Sequence, residues 1–344
     1  MLVPTIGIFF TPLPLKQAFL TTDPQRAISQ RRFVAPSFNG TSPSLSSRSN
    51  EQDIRRLLAT AQLLALTTHS SHSTRLQLIT FDGDVTLYPD GSTLLPNNPV
   101  IHHLVELLSR GLHIGIVTAA GYPDRSGKDY ARRLIGLIDS LRHSSLSPHL
   151  KSNLAILGGE CNYLFKYNGH NDRLEWVDEK EWKLSEMQLW KEHDIQTLLD
   201  VAEDSLKQCI HSLGLKATVI RKPRAVGMVS DNSKLTRECL EEAVLASQRT
   251  LSHHPVAQEI PFCCFNGGSD VWVDVGDKSL GVNVLQTYFH QAKDKCQIWG
   301  GNTLHVGDQF MSLGGNDFKA VWFLGRWALI LEKSLYDCVG CESW

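Results

Sequence analysis

Short apolar runs alternate with segments of helical spacing through the middle of the chain. LQLITF (76–81) is apolar and rich in β-formers, and it breaks off abruptly at Asp82-Gly83-Asp84. Helical spacing over 99–110 leads to Gly111, HIGIVTAA (113–120) reads as a second buried strand, and a helix is predicted over 126–143. Strand, helix, strand, helix predicts an α/β fold with a doubly wound parallel sheet. In such sheets the chemistry gathers beyond the carboxyl ends of the strands, where Asp82, Asp84 and Thr118 fall.

Residues 123–265 read as an inserted unit of mixed α+β character. An aromatic-rich stretch at 163–182 carries a hairpin turn at Asn168-Gly169. Helices are predicted over 192–213 and 232–249, with a strand ATVIRK (217–222) between them. The first sheet is then expected to resume. DVWVDVG (270–276) alternates as a strand, Lys278 opens a helix over 278–292, and TLHVGD (303–308) is a strand ending in an acid. This divides the chain into an N-terminal segment (1–70), a core (75–122 and 266–344) and a cap (123–265). The N-terminal segment contains a polar, mobile stretch at 40–52 and a helix from Asp53 to about Leu66.

Composition adds few constraints. The chain of 344 residues is 42% hydrophobic and 20% charged with a formal net charge of −2, so it lacks the broad positive field that nucleic acid requires. Eight scattered cysteines predict reduced thiols, and the lone C-x-x-C at Cys338 and Cys341 has no second pair to complete a zinc site. The apolar opening lacks a basic n-region and is interrupted by Pro4, Pro12 and Pro14, so a cytoplasmic protein is expected. Aromatics at Tyr163, Phe165, Tyr167, Trp176, Trp182 and Trp190 are predicted to pack the cap, with stacking on a base as the alternative for any one of them. Basic clusters at Arg31 and Arg32, and at Arg55 and Arg56, read as solvated faces.

Four local signals recur at strand ends. Asp82 and Asp84, two residues apart, repel each other unless a cation stands between them. One could then attack phosphorus while the other protonates the leaving oxygen. A solvated acidic turn is the plain alternative, whereas a calcium loop is excluded because Leu87 sits where its turn needs glycine. Thr118 can donate a hydroxyl hydrogen, or simply begin a loop. Lys278 can neutralise a phosphate at a helix start, or cap the helix in solvent. Asp308 in VGDQF can ligate a metal, with Asp317 of GGNDF a second acid nearby. In this order they supply what phosphoryl transfer needs: a nucleophile, an acid and neutralising charge.

At these residues the chain resembles the haloacid dehalogenase superfamily, and through longer strings one branch of it, the IMP-specific 5′-nucleotidases. The superfamily motifs are matched at Asp82-Gly83-Asp84-Val85-Thr86, Thr118, Lys278 and Gly307-Asp308. The branch is indicated by LVPTIGIFFTPLPLKQAFL, RRFVAPSF, ITFDGDVTLYPDG, DVWVDVGDKSLGV, and HVGDQF followed by GNDFKA. The resemblance implies a Rossmann-like core with an inserted cap, and hydrolysis of inosine 5′-monophosphate with Mg²⁺. It implies Asp82 as nucleophile and Asp84 as general acid and later base. The cation would be held by Asp82, the main-chain carbonyl of Asp84, and Asp308. Thr118 and Lys278 would hold the phosphate, and Asp84, Asp90 and Asp270 would contact substrate. A homotetramer and activation by ATP are also implied, with no nucleic acid or membrane partner. Alternatives are a phosphatase of the same fold acting on another phosphomonoester, and a nucleotide-binding subunit without turnover. Two departures stand out: GTSPSLSSRSNEQ follows APSFN, and the sequence after GNDFKA departs from the family, so a terminal sheet element is expected to be missing or replaced. The opening falls inside a family string, so an upstream helical segment of the family is expected to be absent.

Overall fold

The computed structural model describes residues 76–231, 235–291, 298–309, 315–317 and 320, and the backbone of 327–330. The N-terminal segment, its 40–52 stretch and helix from Asp53, the two arginine clusters, Cys296, Cys338 and Cys341 lie outside the described residues.

Two sheets organise the rest. The larger has seven strands: β1 (Leu78–Phe81), β2 (His113–Thr118), β3 (Leu154–Gly158), β4 (Tyr163–Asn168), β5 (Arg173–Trp176), β10 (Thr303–Gly307) and β11 (Trp327–Ile330). Their order is β11-β10-β1-β2-β3-β4-β5, parallel from β11 to β3 and antiparallel across β4 and β5. The wholly apolar runs are explained by position: β1, β2, β3 and β10 are buried at every residue, because helices cover both faces. On one face Ile79, Phe81, Ile114 and Ile116 pack against Val100, Ile101, Leu104 and Leu108 of α1 (Val100–Ser109). On the other face lie Leu78, Val117, Ala155 and Leu157, packed with Val282, Leu285 and Phe289.

The predicted helix over 126–143 is two helices, α2 (Lys128–Arg133) and α3 (Ile135–His143), broken at Leu134. The break frees the Arg133 carbonyl to accept from the Leu94 N–H at 2.7 Å, and the Gly136 N–H to donate to the Leu94 carbonyl at 2.8 Å. A loop therefore replaces helical hydrogen bonds one for one.

The smaller sheet is antiparallel, with β6 (Ala217–Lys222), β7 (Ala225–Ser230), β8 (Phe262–Asn266) and β9 (Asp270–Val275) in the order β6-β7-β9-β8. Helices α4 (Glu192–Leu213) and α5 (Arg237–Ser252) share its core, through residues such as Leu198, Leu206, Leu240 and Val244 against Val226, Met228, Val271 and Val273. The helix expected from 232 begins at Arg237, where the Thr236 hydroxyl accepts from the Cys239 N–H at 3.4 Å.

Strand membership differs from expectation in two places. β3, β4 and β5 join the large sheet although their sequence falls in the region read as inserted. β9, expected to resume the large sheet, lies inside the small one. Its alternation is that of a half-buried antiparallel strand, and nothing in that pattern names the partner. α6 (Lys278–Gln291) follows it at once and returns the chain to the large sheet. After Ala320, where a sheet element was expected to be missing or replaced, β11 pairs in parallel with β10. Among the described cysteines, Cys161, Cys209, Cys239, Cys263 and Cys264 form no disulfide. Among the described residues no helix is long and apolar enough to cross a membrane.

Candidate active site

The loop after β1 is built to hold Asp82. The Asp82 N–H donates to the Val306 carbonyl of β10 at 2.8 Å, continuing the sheet. Gly83 follows because a Cβ there would lie 2.6 Å from the buried Tyr88 hydroxyl and 3.2 Å from the Thr118 hydroxyl. The loop folds back through Leu87 N–H to the Gly83 carbonyl (2.8 Å) and Val85 N–H to the Tyr88 carbonyl (2.7 Å), with Val85 at a positive φ of 63°. Leu87 and Tyr88 are buried and anchor it. Asp84 is thereby turned outward: its Oδ1 accepts from the Gly91 N–H at 3.0 Å and stands 3.5 Å from the Arg133 guanidinium.

Beneath Asp82 lies a fully buried ion network. Lys278 Nζ, with no exposed surface, donates to Asp82 Oδ1 at 2.6 Å and to Asp317 Oδ1 at 2.7 Å. Asp317 also takes the His305 Nε2–H at 3.0 Å and the Gln309 N–H at 2.9 Å. The Thr80 hydroxyl lies 2.9 Å from His305 Nδ1, so a neutral imidazole that donates from Nε2 fits the network. Gly307 is required here, since a Cβ would meet Asp317 Oδ2 at 2.4 Å. Lys278 owes its place to the start of α6, where the Asp277 carboxylate accepts from the Leu280 N–H at 3.0 Å and caps the helix.

Asp82, Asp308 and Asp317 bring carboxylate oxygens within 4.8 Å of one another. Burial pushes Asp82 well above the usual carboxylate range; Lys278 opposes this, while Asp317 and Asp308 add to it. Burial likewise raises Asp308 to about 6. Asp317 goes the other way despite its burial, held low by Lys278 and His305. Were all three carboxylates ionised, one ammonium would leave an excess of negative charge, and without a cation the cluster relieves it by holding protons on Asp82 and Asp308. A hard divalent cation with oxygen ligands fits both that charge and that donor set.

Above this floor opens a cavity. It is lined by Asp82, Asp84, Asp90 and Thr118, by Lys222 of β6, by Arg224 in the turn between β6 and β7, and by Asp270 and Trp272 of β9. Thr118 is buried, and its oxygen accepts from the Ala120 N–H at 3.1 Å, which leaves its hydrogen free to donate. Asp90 is exposed and Asp270 half-buried, with burial raising Asp270 while the Trp272 indole N–H bonded to it opposes the rise. Burial also raises Asp84, against the pull of Arg133. The structure therefore gathers Asp82, Asp84, Asp90, Thr118, Asp270, Lys278, Asp308 and Asp317 around one cavity and its floor.

Other groups here carried no local signal: His305, Arg133, Trp272, Lys222, Arg224, Glu160 and Asn316. Trp272 lies across Gly227 of the neighbouring strand, where a Cβ would stand 2.6 Å from the indole, and the Lys222 ammonium sits 4.1 Å from its ring centre. Of the aromatics weighed for stacking, Tyr163 alone lines this cavity. Phe165, Tyr167 and Trp182 are buried, but in the cores on the two faces of the large sheet rather than in the cap that was expected to hold them.

Comparison with known proteins agrees with this geometry. Residues 1–325 match the family model described as IMP-specific 5′-nucleotidase. "IMP-specific 5′-nucleotidase 1" of Yarrowia lipolytica is 47% identical over 321 residues, covering 93% of this chain and 71% of that protein. The protein of the same name from Schizosaccharomyces pombe is 46% identical over 322 residues, covering 93% of this chain and 73% of that one. Among solved structures, the N-terminally truncated, IMP-bound Plasmodium falciparum IMP-nucleotidase superposes with a TM-score of 0.76 at 31% identity, over 97% of this chain and 80% of that one. The ATP-bound form of that nucleotidase gives a TM-score of 0.71 at 33% identity, over 95% and 69%.

Proposed function

The chain belongs to the IMP-specific 5′-nucleotidase family of phosphomonoester hydrolases, and on that footing we propose that it hydrolyses inosine 5′-monophosphate through a phosphorylated Asp82. The observation that carries the reading is the cluster of Asp82, Asp308 and Asp317 beyond the carboxyl ends of β1 and β10, with the buried Lys278 ammonium bonded to Asp82 and Asp317. Asp82, Asp308 and the main-chain carbonyl of Asp84 would hold Mg²⁺, with Asp317 beside them. Bound there, the cation would neutralise like charges and polarise the phosphoryl group.

Asp82 supplies the carboxylate oxygen that bonds to phosphorus as the P–O5′ bond breaks. Asp84, whose pKa burial raises, delivers its proton to the departing O5′ of inosine. Asp84 then takes a proton from the water that attacks phosphorus, the bond to Asp82 breaks, and inorganic phosphate leaves. Lys278 keeps Asp82 aimed and offsets the charge that develops on the equatorial oxygens. The Thr118 hydroxyl donates to one of those oxygens. The small sheet with α4 and α5 is the cap: Asp90 and Asp270, which both line the cavity, would accept from ribose hydroxyls, and Trp272 would offer a surface for the base. ATP as an effector and assembly into a homotetramer belong to the same proposal. The ATP-bound Plasmodium falciparum structure supports the first.

A phosphate-release panel over IMP, AMP, GMP and sugar phosphates, with and without Mg²⁺, tests the proposal. Turnover confined to IMP and dependent on the cation is expected. Equal turnover across the panel would remove the base-specific reading in favour of a broader phosphatase. Binding of IMP and Mg²⁺ without release would mark a non-catalytic subunit.

A further inference from the structure

Glu160 and Asn316 meet behind the cavity wall, beside the cluster but outside it. Glu160 follows Gly159 at the end of β3, is wholly buried, and holds a φ of 63°, which is uncommon for a residue of its kind. The backbone is fixed there by the Glu160 N–H donating to the Thr118 carbonyl at 3.0 Å. It is also fixed by Gly281 of α6, where a Cβ would stand 2.5 Å from the Glu160 carbonyl oxygen.

The Glu160 side chain accepts at Oε1 from Asn316 Nδ2 at 3.1 Å. Asn316 is 6% exposed, lines the cavity, and its Oδ1 has no donor among the described residues. A carboxylate only accepts, whereas an amide donates at one end and accepts at the other. An ionised Glu160 takes the NH₂ end, which leaves the carbonyl oxygen without a donor among the described residues. An unpaired buried carbonyl costs about 1–3 kcal/mol, so the arrangement is explained if a donor arrives with the ligand.

We propose that Glu160 is a positioning residue: it orients the Asn316 amide so that its carbonyl accepts a hydrogen bond from an O–H donor of the bound complex. The donor is a water of hydration on the divalent cation or a hydroxyl of the nucleoside. The inference rests on the cation and nucleotide reading of the cavity. Burial raises Glu160 to about 7, with Lys278 and Asn316 opposing, so the test belongs at about pH 8, where the carboxylate is ionised.

Glu160→Gln is nearly isosteric but offers both a donor and an acceptor, so it lets Asn316 turn. Thermal shifts are measured with Mg²⁺ alone and with inosine alone, for the parent and the variant. A variant whose unliganded melting point stays near the parent's is expected to lose about tenfold in affinity for one of the two, the equivalent of one hydrogen bond. Loss for Mg²⁺ assigns the donor to cation-bound water, and loss for inosine assigns it to the sugar. Unchanged affinity for both overturns the proposal. If Glu160→Gln does not fold, Asn316→Leu, which leaves Glu160 in place, must show the same selective loss, and parental binding of both ligands by that variant also overturns it. A parent protein that responds to neither Mg²⁺ nor inosine defeats the functional reading itself and this inference with it.

Discussion

Replacing Lys278 with methionine keeps the length of the side chain and removes its charge. The ammonium is unexposed, and its two carboxylate partners lie at 2.6 and 2.7 Å with side-chain exposures of 7% and 0%. Removing one member of a buried ion network costs about 3–5 kcal/mol, because the remaining charges stay in a poor solvent. For a chain of 344 residues that is a fall in melting temperature of about 4–7 °C without cation. The orphaned carboxyls can escape part of the cost by taking up protons. Their folded pKa values then rise above the unfolded ones, so that stability is present at low pH and lost as pH rises. The deficit is therefore expected to be wider at about pH 8 than at about pH 5. Added Mg²⁺ should restore part of it by supplying the missing positive charge. In the phosphate-release assay kcat should fall by about 10²–10³, the usual effect of losing one preorganised donor. Differential scanning calorimetry at the two pH values decides the structural half. A melting temperature within a degree or two of the parent at both would refute the buried network, and an unchanged kcat would remove Lys278 from the chemistry.

Gly307→Ala places a methyl group 2.4 Å from Asp317 Oδ2, and Asp317 is too enclosed to move aside. A loss of about 1–3 kcal/mol and weaker Mg²⁺ binding are expected by thermal shift, and a neutral effect would show that the strand end has slack. Burial holds Asp308 at about 6, above its unfolded value of about 4. Its contribution to the stability of the cation-free protein is thus present below about pH 4 and lost as pH rises through about 6. If Mg²⁺ binds Asp308 as proposed it must displace that proton, so the cation-induced melting shift should grow across the same window. An equal shift at about pH 5 and pH 7 would contradict this.

The floor of the site was legible in the sequence because each member sits at the end of an apolar run. Asp82 closes LITF, Thr118 closes GIV, Lys278 opens α6, and Asp308 closes HVG. Asp317 was visible only as an acid near Asp308. Its hold on Lys278 and His305 comes from the chain doubling back past Gly307, which no local pattern encodes. Glu160 and Asn316 are 156 positions apart and meet through packing alone. Strand membership was hidden for the same kind of reason. The run LAILG is as apolar as a central strand of either sheet, and β9 alternates as any half-buried strand does. Periodicity reports how deeply a strand is buried, and partners are fixed by distant chain.

The most direct measurement asks whether phosphorus becomes bonded to Asp82 during turnover. The enzyme is mixed with IMP and Mg²⁺, quenched, and treated with borohydride, which reduces an aspartyl phosphate to homoserine, and the peptide spanning β1 is sequenced by mass spectrometry. The account predicts homoserine at position 82, dependent on both IMP and Mg²⁺. Steady phosphate release with an unmodified Asp82, or with the mark on another carboxylate, would contradict it.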